Sequence, residues 1–183
     1  MTDPLDRFIC LFHRRWAIGV LSELARDRGA KFVTLSHRLG VGRETLRATL
    51  DDLVAGGWVM PNPGCGHPMR PEYLLTAEGR RLAPCSSRLL RAVRRLDLEP
   101  LAFRKWTMPV TYVLGQGDKR FCKLRDELPG ITPRALALSL KCMQETDLVE
   151  REVFDEYPPV TSYRLMDRGR PLYRALVPLA RAV

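Results

Sequence analysis

Hydrophobic residues recur every three or four positions in several stretches of this chain, the spacing that gathers them on one face of an α-helix. The first such stretch covers residues 14–27. Its inward-facing positions are Ala17, Val20, Leu21 and Leu24. A short helix is predicted next at 32–39. A longer helix follows, and its inward positions are Leu46, Leu50 and Leu53. The pattern therefore predicts three helices in the first third of the chain.

Two short runs with strand character come after these helices. They cover residues 58–60 and 73–75 and are rich in the aromatic and aliphatic side chains typical of strands. Proline, glycine and asparagine concentrate between them, so the two runs are predicted to pair as a hairpin. A last helix is predicted after Gly79, at 79–96.

The same order of elements returns 90 residues later. Between residues 40–82 and the positions 90 further on, ten of 43 pairs are identical. Roughly three would match by chance at ordinary composition. The identical pairs are Gly40/Gly130, Leu46/Leu136, Leu50/Leu140, Val59/Val149, Pro68/Pro158, Tyr73/Tyr163, Leu75/Leu165, Gly79/Gly169, Arg80/Arg170 and Leu82/Leu172. The register slips by one residue at Phe32/Phe121 and recovers where Pro129 is inserted, as expected of a duplication that later diverged.

The second copy predicts the same elements and adds its own capping signals. Its predicted bounds are 121–128 for the short helix, 148–154 and 161–165 for the hairpin strands, and 170–182 for the last helix. Thr132 is expected to cap the longer helix, with Pro133 in the first helical position, where a missing N–H costs nothing. Thr107 is expected to cap the first helix of this copy in the same way.

A helix, a short helix, a turn, a longer helix and a hairpin follow one another in a winged helix–turn–helix. The sequence therefore predicts a mostly helical α+β fold with two tandem winged helix–turn–helix domains, at 1–95 and 96–183. Residues 86–103 have a helical composition and no Gly/Ser-rich linker. We expect an intrachain pseudo-dimer, that is, a monomer with approximate twofold symmetry, and leave further homodimerisation open.

Several motifs carry a resemblance to a known family. In the second copy they are Arg104-Lys105-Trp106, Lys119-Arg120-Phe121, residues 128–134, residues 147–151, and residues 157–160 leading to Tyr163-Arg164-Leu165. In the first copy they are Arg15-Trp16, Trp58-Val59 and residues 73–76. With these motifs in this order the chain resembles the HxlR-type winged-helix transcriptional regulators. The resemblance implies binding of double-stranded DNA at palindromic operators and regulation of transcription, most simply repression.

In a winged helix, bases are contacted from the exposed first turns of the longer helix. This face offers Arg43, Thr45, Arg47 and Thr49 in the first copy, and Thr132, Arg134, Ser139 and Lys141 in the second. Arg43 and Arg47 are the best candidates, because arginine can form two hydrogen bonds with O6 and N7 of guanine. Candidates for phosphate contact, near the ends of the short helices or the base of the first wing, are Lys31, Ser36, His37, Arg70, Lys119 and Arg120.

Charge supports this interpretation and divides unequally between the copies. The chain has 30 Lys and Arg against 21 Asp and Glu, a formal net charge of +9 that favours nucleic acid over an anionic membrane surface as the partner. Residues 1–95 hold 16 basic and 9 acidic side chains (+7), whereas residues 96–183 hold 14 and 12 (+2). The second copy also has Ala137 at the place of Arg47, with Leu138 beside it. The first copy is therefore predicted to read DNA more strongly.

Two other functions stay open. One, which the family resemblance suggests, is a redox- or electrophile-sensing regulator that acts through Cys10, ahead of Trp16. The neighbours of Cys10 are Phe8, Ile9, Leu11 and Phe12. These neighbours indicate burial instead, which would make Cys10 a small core residue. The other function is a protein–protein scaffold that does not bind DNA.

Several classes of protein are disfavoured. Five cysteines without C-x-x-C spacing argue against a disulfide framework or a zinc ribbon and favour a reducing cytosol. Cys65 and His67 are interpreted as turn residues, and no metal or cofactor is expected. No apolar run approaches the roughly 18 residues of a membrane span, and the N-terminal residues lack a signal-peptide pattern. The common catalytic motifs are missing, so we expect a cytoplasmic DNA-binding protein, associated with the nucleoid when bound, and not an enzyme.

Overall fold

The structure is a computed structural model that describes residues 3–62, 72–154 and 160–183. The chain divides into two compact units. One consists of Met1–Arg91 with Leu179–Val183, and the other of Ala92–Pro178. Most of the described residues are helical, and the strands form two small antiparallel sheets. This confirms the mostly helical α+β fold predicted from the sequence.

The first half of the chain follows the predicted order of elements. Its described helices are α1 (Pro4–Leu11), α2 (Ala17–Arg26), α3 (Phe32–Leu39), α4 (Arg43–Ala55) and α5 (Ala77–Arg95), and its described strands are β1 (Ala30–Lys31), β2 (Val59–Pro61) and β3 (Glu72–Leu75). The strands lie in the order β1-β3-β2, and β3 is antiparallel to both neighbours. Strands β2 and β3 are the predicted wing. Strand β1 has only two residues, too few for an alternating pattern to reveal it.

Helix α1 is missing from the predicted elements, although its start carries a capping signal. Asp3 accepts a hydrogen bond from the backbone N–H of Leu5 at 3.0 Å, and Pro4 occupies the first helical position. The rings of Phe8 and Phe12 pack edge to face with their centroids 5.2 Å apart, and both are buried. Both the capping signal and the helical spacing of Phe8, Leu11 and Phe12 were present in the sequence.

Helix α4 is held by its apolar face. Leu46, Leu50 and Leu53 are at most 1% exposed. Such burial is worth about 1.5–3 kcal/mol for each side chain. The turn that leads into α4 follows Gly40, whose φ of 63° lies in the left-handed region that glycine adopts without strain. The helix is thereby fixed with its other face toward solvent.

The second half of the chain repeats this arrangement. Its described helices are α6 (Glu99–Ala102), α7 (Thr107–Leu114), α8 (Phe121–Asp126), α9 (Pro133–Gln144) and α10 (Arg170–Ala182); its strands are β4 (Lys119–Arg120), β5 (Val149–Phe154) and β6 (Val160–Leu165); and a 3₁₀ turn covers Asp167–Gly169. The strand order is β4-β6-β5, again antiparallel. None of the described helices has the length and hydrophobicity that crossing a bilayer requires.

The register of the two halves agrees with the duplication seen in the sequence. Helices α4 and α9 begin at Arg43 and Pro133, 90 residues apart, whereas α3 and α8 begin at Phe32 and Phe121, 89 residues apart. The short strands β1 and β4 share this 89-residue offset. The one-residue slip inferred from the sequence therefore coincides with the β4–α8 segment.

Of the two predicted threonine caps, one is correct. Thr132 caps α9, and its Oγ accepts a hydrogen bond from the backbone N–H of Ala135 at 3.2 Å. The expected cap at Thr107 is wrong, because Trp106 takes the capping position of α7. The Thr107 side chain is buried, and its Oγ donates to the carbonyl of Leu101 at 3.0 Å. The preceding helix α6, which supplies that carbonyl, lies in the 86–103 segment of helical composition but was not predicted as a separate helix.

We predict that Gly79→Ala lowers the free energy of unfolding. A Cβ at Gly79, in the first turn of α5, would lie 1.9 Å from the carbonyl oxygen of Trp58. Because backbone cannot move aside as a side chain can, the expected loss is about 1–3 kcal/mol, measured by urea denaturation. Gly42→Ala is the control, since a Cβ there meets no described atom within 4 Å. It should cost less than about 1 kcal/mol. Equal losses in the two variants would contradict this explanation.

Candidate nucleic-acid interface

The first turns of α4, the recognition helix of the first copy, carry three polar side chains that face solvent. Arg43, Thr45 and Arg47 are all exposed. Within the described parts of the chain, neither arginine forms an ion pair. Their charge is therefore available to a phosphate or to the edge of a base.

Arg47 also acts on the sheet beside α4. Burial raises the pKa of the Tyr73 hydroxyl above its ordinary value, the Asp51 carboxylate raises it further, and Arg47 acts in the opposite direction. Arg47 and Asp51 stand four residues apart on α4, so the carboxylate offsets part of the positive potential around Arg47.

Thr49 does not belong to this exposed face, so the prediction that it contacts DNA is wrong. Its side chain is fully buried, and its Oγ donates to the carbonyl of Thr45 at 2.7 Å. At about 100° per residue, position 49 falls within the same arc as the buried Leu46 and Leu53. Ser139, at the equivalent position of the second copy, is only partly exposed.

Two candidates at the short helix α3 are exposed to solvent, and a third forms a hydrogen bond within the chain. Lys31, directly before α3, and His37, in its last turn, are exposed. Ser36 is partly buried, and its Oγ donates to the carbonyl of Val41 at 2.7 Å. This hydroxyl therefore closes the turn between α3 and α4, whereas Lys31 and His37 remain open to a phosphate.

The recognition helix of the second copy, α9, presents a less polar face. Thr132 and Arg134 are exposed, but the Thr132 hydroxyl already caps the helix. Ala137 is exposed at the place of Arg47, and the Leu138 side chain beside it is 59% exposed. Apolar surface thus lies where the first copy presents a guanidinium.

Both candidate lysines of the second copy, Lys119 and Lys141, lie near a carboxylate. Lys119 is partly buried, and its Nζ lies 3.1 Å from a carboxylate oxygen of Glu127. Lys141 is exposed, with its Nζ 4.0 Å from the carboxylate of Glu145. Arg120 is exposed at the start of α8. Of these three cations, Arg120 is the one best placed for a phosphate.

The wing of the second copy combines acidic and apolar groups. Arg164 on β6 is paired with Glu150 on β5 across the hairpin. Glu152 is exposed further along β5, and the next two side chains, Val153 and Phe154, are 54% and 39% exposed. Arg151, between Glu150 and Glu152 on β5, is exposed and donates to the hydroxyl of Thr161 at 3.4 Å. The described part of this wing thus offers a phosphate one arginine outside an ion pair, with a glutamate on either side of it.

Cys10 is exposed, so its interpretation as a core residue is wrong. Its predicted core neighbours Phe8, Ile9, Leu11 and Phe12 are indeed buried. A rotation of about 100° per residue nevertheless turns position 10 away from them. The thiol borders a cavity of about 330 Å³ that is also lined by Arg14, Asp52 and Trp58.

One contact pair in each copy was missed by the sequence patterns. In the first copy, Nε of Arg14 donates to Oδ2 of Asp52 on α4 at 2.6 Å. In the second, Nη1 of Arg104 donates to Sγ of Cys142 on α9 at 3.3 Å. Arg14 and Arg104 stand 90 residues apart, and so do positions 52 and 142, but the partner changes from aspartate to cysteine, so the repeat could have pointed to the arginine and not to its contact.

Metal binding has no support in the described residues. No group of three or more His, Cys, Asp and Glu side chains there has the arrangement of a metal site. Cys65 and His67, interpreted as turn residues, and Arg70, the candidate at the base of the first wing, lie outside the described residues.

The sequence matches one family twice. Residues 11–96 and 101–182 both match the family described as HxlR-like helix-turn-helix. Among curated proteins, the HTH-type transcriptional regulator YodB of Bacillus subtilis is 33% identical over 69 residues, which cover 38% of this chain and 62% of YodB. The uncharacterized HTH-type transcriptional regulator YdeP of the same organism is 38% identical over 68 residues, 37% of this chain and 53% of YdeP. The matched part thus spans between half and two thirds of these relatives.

Solved structures give similar matches, each to about half of the chain. The reduced form of the transcriptional regulator YodB from B. subtilis is 30% identical and covers 44% of this chain and 81% of its own, with a TM-score of 0.41. The redox regulator HypR in its oxidized form is 33% identical and covers 47% and 87%, also with a TM-score of 0.41. Because the two family matches take up most of its length, the chain belongs to the HxlR-like helix-turn-helix family, with two copies of the domain in tandem.

Proposed function

We propose that this protein is a transcriptional regulator that binds double-stranded DNA in a sequence-specific manner. The observation that carries the proposal is the exposed start of α4, where two arginines without an ion-pair partner in the described chain stand on a helix fixed from behind by buried leucines. A rigid helix with cationic hydrogen-bond donors in its first turns is what major-groove readout by a helix–turn–helix requires. The family match supports this assignment and speaks against an enzyme.

The contacts divide between bases and backbone. Arg43 and Arg47 are proposed to donate to guanine in the major groove, and Thr45 can bond to several bases. Lys31 and His37 flank the same helix pair and are proposed to bind phosphates, which fix the register without reading sequence. The first copy therefore supplies both kinds of contact.

The second copy is proposed to read DNA with fewer polar contacts. Arg134 on α9 and Arg120 before α8 are its exposed cations with the best placement, and Lys141 stands close to a carboxylate. Ala137 and Leu138 offer only apolar contact, such as with the methyl group of thymine. One half-site should then be specified more tightly than the other.

The operator is proposed to be an imperfect palindrome bound by a single chain. Two recognition helices within one polypeptide can bind the two half-sites that other helix–turn–helix proteins bind as dimers. A monomer with pseudo-twofold symmetry is sufficient for this task, and a homodimer would bind two such sites. Bound at a promoter in the cytoplasm, the protein would most simply repress by blocking the polymerase.

Redox sensing through Cys10 is a second candidate that one observation favours. The thiol is exposed and shares a cavity with Arg14 and with Asp52 of α4, so a modification there would lie beside the recognition helix. A protein–protein scaffold is the remaining alternative. A mobility-shift assay on random genomic fragments separates it from a regulator, since a scaffold retards no fragment selectively.

Alanine substitutions should rank the arginines of the two recognition helices. Arg43→Ala and Arg47→Ala are each expected to weaken specific binding by about 1–3 kcal/mol, because each removes a bidentate base contact. Arg134→Ala should cost less. Arg81→Ala, an exposed arginine of α5, is the matched control for the change in charge. Binding isotherms from fluorescence anisotropy provide the measurement. If Arg134→Ala abolished binding while Arg47→Ala left it intact, the ranking would be wrong.

Binding should weaken steeply with salt. Each neutralised phosphate releases counterions, so the logarithm of the affinity is expected to fall with the logarithm of salt concentration by about 0.9 per phosphate contact. Lys31→Ala should flatten this slope by about one contact and weaken all sequences equally. Titrations between about 50 and 200 mM salt test this, and an affinity indifferent to salt would contradict the electrostatic argument.

A further inference from the structure

The Arg14–Asp52 and Arg104–Cys142 pairs occupy the same place in the two copies. Arg14 and Arg104 are 90 residues apart, and so are Asp52 and Cys142, in agreement with the offset of the helices that carry the second partner. Each arginine lies a few residues before the start of a helix, which is α2 for Arg14 and α7 for Arg104. Each pair therefore links a recognition helix, α4 or α9, to the segment that precedes α2 or α7.

The two pairs differ in the group that faces the guanidinium. Asp52 accepts from Arg14 at 2.6 Å as a carboxylate, a charge-assisted hydrogen bond. Cys142 offers Arg104 a sulfur atom at 3.3 Å, and a neutral thiol is a weak acceptor. The second copy thus keeps the arginine that binds an anion in the first copy but lacks the anion.

An oxidised cysteine would supply that anion. A sulfinate carries two oxygen atoms and one negative charge on a side chain of aspartate-like length, so it can accept from a guanidinium as a carboxylate does. We propose that Cys142 is an oxidation site whose sulfinate pairs with Arg104 in the way that Asp52 pairs with Arg14.

The site is open to a small oxidant. Cys142 is partly exposed and borders a cavity of about 180 Å³ that is also lined by Trp106, Leu138 and Ser139. A water molecule takes about 30 Å³ in the liquid, so hydrogen peroxide, with one more oxygen atom, fits this space. Arg104 lines the same cavity and can donate to the oxygen atoms as they are added.

The chemistry takes two equivalents of hydrogen peroxide. In the first step a sulfur lone pair attacks one peroxide oxygen, the S–O bond forms, the O–O bond breaks, and the thiol proton leaves with the departing hydroxide as water. In the second step the sulfenate sulfur attacks another peroxide, which yields the sulfinate and a second water. Each step oxidises sulfur by two electrons and reduces one peroxide.

The proposed pair would anchor the C-terminal half of α9 as the carboxylate anchors α4. Its effect on operator binding rests on the proposed function, whereas the oxidation and the anchoring do not. Both are therefore measured on the protein without DNA, so that a failure here is separate from a failure of DNA binding.

The first experiment follows oxidation by hydrogen peroxide with mass spectrometry of digested protein. Cys85 is the internal control, because it is also partly buried and burial raises the pKa of its thiol. Cys142 is expected to gain about 32 Da at least about fivefold faster than Cys85. Arg104→Gln should slow the oxidation of Cys142 and leave the oxidation rate of Cys85 unchanged. Arg14→Gln is the matched variant, and it should alter neither rate. A Cys142 that stays reduced, or that is indifferent to Arg104→Gln, would overturn the proposal.

The second experiment replaces the oxidised group by a fixed one. Cys142→Asp should slow amide hydrogen exchange in the C-terminal half of α9 several-fold relative to Cys142→Asn, because only the aspartate can pair with Arg104. Adding Arg104→Gln should erase the difference between the two. Exchange that is the same in Cys142→Asp and Cys142→Asn, or a difference that survives Arg104→Gln, would show that no ion pair forms at this place.

Discussion

The burial of one side of each recognition helix determines which side chains the protein can offer to DNA. In α4 the buried residues are Leu46, Thr49, Leu50 and Leu53, and in α9 they are Leu136, Leu140 and Met143. Rotating either helix would expose side chains whose burial is worth about 1.5–3 kcal/mol apiece. The direction in which Arg43 and Arg47 point is therefore a consequence of core packing, and so is the outward direction of Leu138.

Long periodic segments could be predicted from the sequence, because a helix that covers a core shows its buried face as a regular spacing of apolar residues. The helices from α2 to α5 and their counterparts follow this rule, and both wings were predicted from strand-type residues that flank a turn. The errors fall where a local partner decides the outcome. Thr49 bonds to its own helix and lies within the apolar arc, Thr107 bonds back to α6, and Cys10 is rotated away from four buried neighbours. Neither composition nor spacing records such partners.

Comparison of the two copies explains why the candidate site was only partly predictable. Duplication retained the buried positions, since any change there is costly, and left the exposed positions free to diverge. The place of Arg47 is taken by Ala137, and that of Asp52 by Cys142. The same scaffold therefore carries one more cationic and one less polar recognition face. The difference between the faces was visible in the sequence, whereas the arginine contacts behind them required the structure.

Selection from a random duplex library followed by sequencing tests most directly the proposal that one chain reads two half-sites unequally. We expect two enriched half-sites whose centres lie about 10 base pairs apart, one strongly constrained and the other permissive. Repeating the selection with Arg47→Ala should relax the constrained half alone. Two equally constrained halves, or no enrichment of any sequence, would contradict it.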